Sequence, residues 1–235
     1  MKNTLLLKSW LHSFLSLLFP QCCVVCGQAL VQGEECICTL CNMNLPRTNY
    51  HLQKDNPVEL MFWGKIPLAR ATSFFFYRKG SDFRQILHQL KYGGQKEVGA
   101  IMGRYMASEL LASGFFQGID CIIPIPLHKQ KQRTRGYNQS EWIARGISVV
   151  TGIPIDTEAV IRRKNTETQT RKSVFGRWEN VEGIFELQGS DSLVGKHVLI
   201  VDDVLTTGAT IVACASCMGD IDGIWVSVLT LAVAE

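Results

Sequence analysis

The sequence predicts an α/β protein in which a parallel sheet flanked by helices follows a small cysteine-rich module. Three observations lead to this prediction. Six of the nine cysteines fall within twenty residues near the amino terminus. Strand patterns alternate with helix patterns over the rest of the chain, and a buried strand near the carboxyl terminus runs through a polar loop into a helix. Such alternation is typical of parallel sheets whose binding loops lie at the strand ends.

The composition limits the classes of protein that the chain can belong to. Of its 235 residues, 46% are hydrophobic and 19% are charged. This balance excludes an intrinsically disordered chain, and the length suffices for one or two domains with a sizeable core. The formal net charge of +3 is too small to indicate a nucleic-acid partner by itself. The odd number of cysteines excludes a framework in which all of them pair as disulfides.

Residues 1–19 combine a basic start with an interrupted apolar run that ends at Pro20. No small-x-small cleavage site precedes Cys22, and the run is too short and too polar to span a membrane. We therefore expect no integral membrane segment and a cytoplasmic location. The pattern instead predicts an amphipathic leader helix that packs on the main domain, with peripheral membrane contact as the alternative. Its apolar face consists of Leu5, Leu6, Trp10, Phe14, Leu17 and Leu18.

Residues 20–45 contain two CxxC pairs, Cys23 with Cys26 and Cys38 with Cys41. Two residues between thiolates let both sulfurs face one ion, and the glycine after Cys26 permits a tight turn. Four such ligands complete a tetrahedral structural Zn²⁺ site, which can fold a segment too small for its own core. We therefore predict a zinc ribbon over 20–45. A disulfide-stapled secreted module is the competing interpretation, and the odd count and the large following domain disfavour it.

The register of the zinc ligands stays open at this level. Cys22 could replace Cys23, and Cys36 could replace Cys38. We prefer to interpret Cys22 and Cys36 as spare thiols beside the site.

The remaining elements follow in chain order. A polar stretch from 42 to 57 is predicted to end the ribbon and form a linker, and the sheet domain is predicted over 60–235. Aromatic and threonine side chains predict the first strand, and the helix after it ends at a Gly-Gly pair. The predicted strands are 71–77, 120–125, 196–201 and 224–232. The predicted helices are 81–92, 97–111, 138–150 and 210–218, with a basic loop before 138.

The segment with the strongest functional signal runs from His197 to Thr210. Four apolar residues form a buried strand that delivers two adjacent carboxylates, Asp202 and Asp203, and a Thr-rich loop around Gly208 then enters a helix. Backbone N–H groups at a helix start make a cup for a phosphate, and a glycine allows close approach. Carboxylates accept hydrogen bonds from vicinal hydroxyls or help to hold Mg²⁺. The pattern therefore fits a ribose 5-phosphate.

These residues, VLIVDDVLTTGAT, resemble the phosphoribosyl-pyrophosphate (PRPP) motif of type I phosphoribosyltransferases. The resemblance implies a parallel sheet of that fold, in which Asp202 and Asp203 are the catalytic acids that hold the ribose hydroxyls. It also implies that the loop holds the 5-phosphate through Thr206, Thr207, Gly208, Ala209 and Thr210.

Two further segments are similar to those of the ComF family. The pattern is PxPL followed by RxRGYNQ, then RxxxTxxQ with later R, N and G-x-F positions, and finally VDDVxTTG. Members of this family join an N-terminal zinc module to a phosphoribosyltransferase-like domain, and in many bacteria the family is linked to competence and DNA uptake. The likeness covers nearly the whole chain, including the CxxCG knuckle and a LKYGG stretch. Lys91 of that stretch matches a family position, although a cation at a helix end is ordinary.

The basic residues are concentrated in residues 128–172, which carry a net charge of +6 although the whole chain carries +3. Cations of this kind suit a pyrophosphate leaving group. We assign the pyrophosphate side to Arg133 and Arg135, beside Gly136, because guanidinium groups match phosphate oxygens. A flexible flap that excludes water is predicted around Thr166, Gln169, Arg171 and Arg177.

Two functions are consistent with the sequence. The first is an enzyme that transfers phosphoribose from PRPP, with Mg²⁺, to a nitrogen acceptor whose identity the sequence does not indicate. The second is a non-catalytic factor in natural transformation that senses PRPP or binds single-stranded DNA, in contact with DNA-uptake machinery at the inner membrane. The basic segments suit both functions, since polyphosphate and nucleic-acid backbones attract the same side chains.

Overall fold

The computed structural model of the protein describes residues 20–163 and 183–235. The predicted leader helix over 1–19 lies outside the described residues. So do the predicted flap residues Thr166, Gln169, Arg171 and Arg177.

The main sheet has four parallel strands in the order β1-β6-β5-β2, and a separate antiparallel ribbon pairs β3 with β4. The two central strands, β5 and β6, are apolar and buried on both faces for most of their length, as is typical of parallel sheets. The strands are β1 (Leu68–Tyr77), β2 (Cys121–Pro124), β3 (Val160–Arg162), β4 (Phe185–Leu187), β5 (His197–Leu205) and β6 (Trp225–Ala234).

Helices cover both faces of the sheet. The α-helices are α1 (Thr39–Met43), α2 (Pro57–Phe62), α3 (Arg84–Tyr92), α4 (Lys96–Leu111), α5 (Lys129–Arg135), α6 (Gln139–Thr151) and α7 (Ala209–Ser216). Short 3₁₀ turns lie at Tyr50–Leu52 and Ser190–Leu193. In the ranges that the structure describes, no helix is both long and apolar enough to cross a membrane.

Each face of the sheet has its own hydrophobic core. Along β5, Leu199 and Val201 pack into the core that contains α3, α4 and α6, whereas Val198 and Ile200 pack into the core that contains α7 and the β3–β4 ribbon. This alternation follows from the two-residue period of a strand. The predicted fold class, a parallel sheet flanked by helices and preceded by a cysteine module, is confirmed.

Helices α4 and α6 cross at very short range because glycines lie at the contact. A Cβ built on Gly146 would lie 2.0 Å from the carbonyl oxygen of Ala100, and one on Gly103 would lie 2.2 Å from that of Ile143. The two backbones therefore touch without intervening side chains. This contact fixes the position of α6, whose first turn reaches the candidate site.

The cysteine module packs directly on the sheet domain. Ile37 and Leu45 belong to the core that contains α4, and an ion pair joins Arg104 on α4 to Glu35. The side chain of Arg47 donates to Glu109, also on α4, at 2.7 Å. Residues 42–57 were predicted to end the ribbon and form a linker. Part of this stretch lies along β1, because the backbone at residues 46–48 pairs with that strand.

Several elements differ from the sequence-based predictions. The predicted basic loop contains helix α5, which begins where the His128 imidazole accepts a hydrogen bond from the Gln130 backbone and ends at Gly136 in the left-handed region. Strand β5 continues through both aspartates to Leu205, because its pairing with β6 continues that far. Helices α1 and α2 and the β3–β4 ribbon are not among the sequence-based predictions.

Candidate functional site

The acid pair lies near the carboxyl end of β5 and is held by contacts from two helices. The Ser140 hydroxyl, in the first turn of α6, donates to Asp202 Oδ1 at 3.0 Å. The same oxygen accepts the backbone N–H of Asp203 at 2.8 Å. Lys91 Nζ, near the end of α3, lies 3.0 Å from Asp203 Oδ1 in a mostly buried ion pair. Both carboxylates are therefore oriented, and one of them is neutralised by a cation.

The electrostatics of the pair are unusual for aspartates. Burial and the adjacent Asp203 carboxylate raise the pKa of Asp202 to about 7. Burial opposes the charge of Lys91, but the attraction of Asp203 prevails and the pKa of Lys91 is raised. On the other face of the sheet, burial lowers the pKa of Arg162, although the Asp202 charge opposes that effect. The acid pair thus lies between cations from both faces.

We predict a pH-dependent gain in stability from Asp202→Asn. The pKa of this group in the folded state is about 7, above its ordinary value of 3.8, so its ionisation favours the unfolded chain. Wild-type stability should therefore fall as the pH rises from about 4 to about 7 and change no further through this group above that range. Asparagine keeps an oxygen that can accept both hydrogen bonds, so the variant should melt at a higher temperature than wild type at pH 8.

Thermal melts at pH 4 and pH 8 check this expectation. At pH 4 the two proteins should melt at similar temperatures, because the wild-type carboxyl is then protonated. Asp220→Asn, at an exposed position, is the matched control and should behave as wild type at both pH values. An Asp202→Asn variant that is less stable than wild type at pH 8 would contradict the assigned pKa.

The loop between β5 and α7 forms a small cradle next to Asp202. Its lining consists of Asp202, Val204, Leu205, Thr206, Thr207, Gly208, Ala209, Thr210 and Ile211. Helix α7 starts after Gly208, and among the described residues no side chain caps that start. The N–H groups of the first turn have no partners within a helix, so they suit an anion such as a phosphate.

Gly208 determines the shape of this cradle. Its φ of +75° lies in the left-handed region, and a Cβ there would lie 2.8 Å from the Phe62 ring and 3.2 Å from Met61 Sδ. Helix α2 therefore supports the loop from behind. Glycine is required for both its backbone conformation and this packing.

The predicted pyrophosphate residues lie on and after α5. Arg135 is half-buried, donates to Gln139 Oε1 at 2.8 Å, and places its guanidinium 5.5 Å from the centroid of the Tyr92 ring. Its charge acts on Lys91, next to the acid pair. Arg133 lies on the exposed side of α5, and Gly136 ends the helix with a φ of +81°. The structure thus brings Arg135 near the acid pair and places Arg133 outward.

Three residues at the site were not among the predicted site residues: Lys91, Ser140 and Arg162. Lys91 belongs to LKYGG, Arg162 begins RxxxTxxQ, and Ser140 directly follows RxRGYNQ. The signal was present in those motifs, but only the folded chain places them beside Asp202 and Asp203. The Tyr137 hydroxyl, which donates to the Leu90 carbonyl at 2.7 Å, helps by joining two of these segments.

The four predicted zinc ligands lie together in the cysteine module. The sulfurs of Cys23, Cys26, Cys38 and Cys41 are all within 4.8 Å of one another, and those of Cys26 and Cys38 are 3.8 Å apart. A tetrahedral site with Zn–S bonds of about 2.3 Å places its sulfurs roughly 3.8 Å apart. The donor set and spacing therefore fit a structural zinc ion.

Backbone N–H groups point at two of these sulfurs. The N–H of Cys38 points at Cys23 Sγ from 3.3 Å, and the N–H of Cys41 points at Cys38 Sγ from 3.4 Å. Burial alone would raise the pKa of Cys23, but such N–H groups bring it down to about 7. Burial raises the pKa of Cys41 as well as that of Cys36, so position rather than acidity separates the ligands from the spare thiols. Cys22 is exposed, and Cys36 is buried. Both lie outside the group of four.

The fold and the site define a class of protein: an α/β domain whose parallel sheet carries an acid pair and a Gly-Thr loop at one strand end, with an N-terminal module of four clustered cysteines. Over 207 residues the chain is 30% identical to the DNA utilization protein YhgH of Shigella flexneri, covering 82% of this chain and 88% of that protein. It is 25% identical over 214 residues to competence protein ComFC of Bacillus subtilis, covering 89% and 82% respectively. The chain belongs to the ComF family. No family model matches the chain.

Among solved structures, adenine phosphoribosyltransferase of Leishmania tarentolae matches 80% of this chain and 94% of its own length, with a TM-score of 0.38 and 12% identity. UMP synthase of Leishmania donovani matches 74% of this chain with a TM-score of 0.35 and 16% identity, and the match spans 30% of its own length. The parallel sheet flanked by helices is seen directly in the strand order and pairing of this protein, independently of these distant similarities.

Proposed function

We propose that this protein binds PRPP with Mg²⁺ and transfers its phosphoribose to a nitrogen acceptor. The proposal depends on one observation above the others: a single strand–loop–helix presents two oriented carboxylates, Asp202 and Asp203, beside an uncapped helix start. These are the groups that a ribose diol and a 5-phosphate require, at neighbouring positions. We infer that the loop residues 206–210 hold the phosphate and that the carboxylates accept hydrogen bonds from the ribose hydroxyls.

The reaction would be a displacement at C1 of the ribose. The lone pair of the acceptor nitrogen forms the new C1–N bond, the bond from C1 to the pyrophosphate oxygen breaks, and its electron pair leaves with pyrophosphate. The acceptor N–H proton passes to solvent or to the leaving group. Positive charge develops on the ribose, where the carboxylates stabilise it, while Lys91 and Arg135 suit the departing anion.

Metal ions enter the proposal at two places. Carboxylate oxygens are ligands that Mg²⁺ accepts, so Asp202 and Asp203 fit a metal that arrives with PRPP. When bound, Mg²⁺ would neutralise charge on the pyrophosphate. At the cysteine module we propose one structural Zn²⁺ per chain, held by Cys23, Cys26, Cys38 and Cys41, and we place the protein in the cytoplasm, where thiolates stay reduced.

A PRPP titration in the presence of Mg²⁺ tests the pocket. We expect saturable binding to wild type and at least a tenfold weaker affinity for the Asp202→Asn/Asp203→Asn double variant, since both hydroxyl-binding carboxylates are lost. The Asp220→Asn/Asp222→Asn variant removes two carboxylates at exposed positions after α7 and should bind as wild type. Equal affinity in all three proteins would exclude the pocket. A pyrophosphate-release screen over nucleobases and amines then tests turnover.

Gly208→Ala should abolish PRPP binding with a smaller effect on folding. The new methyl group would lie 2.8 Å from the Phe62 ring in a left-handed backbone conformation, so the loop must move away from α2. We expect at least a hundredfold loss of affinity, measured by the same titration. Gly64→Ala supplies the control, because its φ is +70° but nothing lies within 4 Å of the added Cβ. Wild-type affinity in Gly208→Ala would show that this cradle does not hold the phosphate.

A second function, binding of single-stranded DNA without turnover, is favoured by the names of the relatives. Two of them are called DNA utilization protein and competence protein, and these names support DNA handling as a candidate activity. Helix α5 exposes Lys129 and Arg133 to solvent, as a phosphate backbone would require.

A single-stranded DNA titration over a salt series tests this second function. A flat salt response would exclude backbone contacts, and a Lys129→Gln/Arg133→Gln variant should reduce the salt slope. DNA-uptake machinery at the inner membrane is the partner that this function implies.

A further inference from the structure

The side chain of Gln139 contains a buried hydrogen-bond donor without a partner. Gln139 is the first residue of α6, and only 2% of its surface is exposed. Its Oε1 accepts a hydrogen bond from the Arg135 guanidinium at 2.8 Å, whereas its Nε2 is buried and donates to no atom of the chain within 20–163 and 183–235. A buried donor that stays unpaired costs free energy, so it needs an acceptor from outside the chain, a water molecule or a ligand.

The contact with Arg135 determines which end of the Gln139 amide is unpaired. A guanidinium group only donates hydrogen bonds, so the amide oxygen has to face it. Exchanging the oxygen and the nitrogen of the amide would place two donors against each other and would lose the hydrogen bond at 2.8 Å. Nε2 is therefore the unpaired end, and the atom that satisfies it must be an acceptor such as an oxygen.

The surroundings of Gln139 favour an anionic ligand over a water molecule. The next residue, Ser140, donates to one carboxylate of the acid pair at 3.0 Å. Arg135 acts through its charge on Lys91, whose Nζ lies 3.0 Å from the other carboxylate. The amide thus belongs to a cluster of cationic and donor groups beside the acid pair, while the phosphate cradle is lined by residues of the segment 202–211.

We propose that Gln139 is a pyrophosphate-binding residue, whose Nε2 donates to a pyrophosphate oxygen of PRPP while its Oε1 holds Arg135. The inference rests on the proposed function. Ionised pyrophosphate oxygens accept hydrogen bonds and do not donate them, so a guanidinium, an ammonium and an amide N–H are suitable partners. Because the amide is covered in the structure, the Arg135 or Gln139 side chain has to turn as the ligand enters. Binding then gives the unpaired donor its acceptor.

Gln139→Met tests this contact, because methionine is similar in length and flexibility but lacks the amide. We expect the variant to bind PRPP with Mg²⁺ about tenfold more weakly than wild type by calorimetry. Ribose 5-phosphate has no pyrophosphate group, so its affinity should stay at the wild-type value. The melting temperature without ligand should change little, because removal of the unpaired donor offsets the lost hydrogen bond to Arg135.

Thr72→Val is the matched control. Thr72 lies in β1, is fully buried, and has an Oγ1 that likewise lacks a partner in the described part of the chain. Valine has nearly the same shape, so this variant also removes an unpaired buried polar atom, but from a strand at the far edge of the sheet from β2. It should bind both PRPP and ribose 5-phosphate as wild type does.

A double-mutant cycle separates a direct contact from an effect that passes through Arg135. If Nε2 touches the ligand, Gln139→Met should weaken PRPP binding severalfold in an Arg135→Met background as well. If Gln139 only positions Arg135, the second substitution should cause no further loss, and that result would overturn the proposal.

Two further outcomes would also overturn the proposal, for different reasons. Wild-type PRPP affinity in Gln139→Met would show that a bound water molecule satisfies the amide, and the proposed function would stand. An equal loss of ribose 5-phosphate binding would place the contact elsewhere than on pyrophosphate. A wild-type protein that binds ribose 5-phosphate and PRPP equally weakly, or neither of them, would refute the proposed function itself and this inference with it.

Discussion

Gly146→Ala is expected to lower the free energy of unfolding by about 3 kcal/mol or more, although alanine is the better helix former. In an open helix position the change would stabilise by up to about 1 kcal/mol, because alanine loses less backbone entropy on folding. At Gly146 the new Cβ would lie 2.0 Å from the carbonyl oxygen of Ala100 and 2.8 Å from the backbone nitrogen of Arg104. Both atoms are backbone of α4, so no side chain can move aside, and the helices must separate.

Thermal and urea unfolding measure this effect. For a chain of this size the expected loss corresponds to a melting temperature about 6–12 °C lower. Gly80→Ala is the control, since its backbone is not left-handed and nothing lies within 4 Å of the added Cβ, and it should change the melting temperature little. Because α6 carries Ser140, a folded Gly146→Ala variant should also orient Asp202 less well and bind PRPP more weakly. A variant as stable as wild type would show that the crossing is looser than described.

The parts of the fold that the sequence predicts well are those where several local signals agree. Around β5 and α7, an apolar run, two acids, a glycine and a helical pattern all indicate one strand–loop–helix unit, which the structure contains. Helix α4 was also predicted to within a residue at its start. The end of β5 was placed too early, because the acids at 202 and 203 interrupt the apolar pattern although the pairing with β6 continues.

Strands β3 and β4 and helix α5 are missed because they lack a periodic signal. Strands β3 and β4 have three residues each, too few for an alternating pattern to emerge. Helix α5 has no buried residue, and its helical state depends on the His128 cap and on Gly136 rather than on an apolar face. The ion pair of Lys91 with Asp203 joins α3 to β5, which are far apart in the sequence. Only tertiary structure brings the two residues together.

Cys26→Ser should remove the metal from the protein and destabilise the sheet domain as well as the module. A structural zinc site contributes folding free energy directly, because the unfolded chain holds no preformed site. Cys23, Cys38 and Cys41 belong to the same hydrophobic core as α4, together with Ile37 and Leu45, so loosening the module exposes part of that core. We expect wild type to contain one zinc per chain by elemental analysis, Cys26→Ser to contain much less, and its melting temperature to fall by several degrees.

Cys22→Ser is the matched control, and it separates a zinc site from its alternatives. Cys22 is exposed, and its sulfur contacts the Pro20 carbonyl at 3.5 Å rather than the four clustered sulfurs. The serine variant should therefore retain full zinc and the wild-type melting temperature. If Cys22→Ser lost zinc while Cys23→Ser kept it, Cys22 rather than Cys23 would be the ligand and the assigned register would be wrong. If wild type contained no zinc and a Cys23–Cys41 disulfide instead, the module would be a disulfide staple, and the cytoplasmic location would have to be abandoned, since such bonds persist only in oxidising compartments.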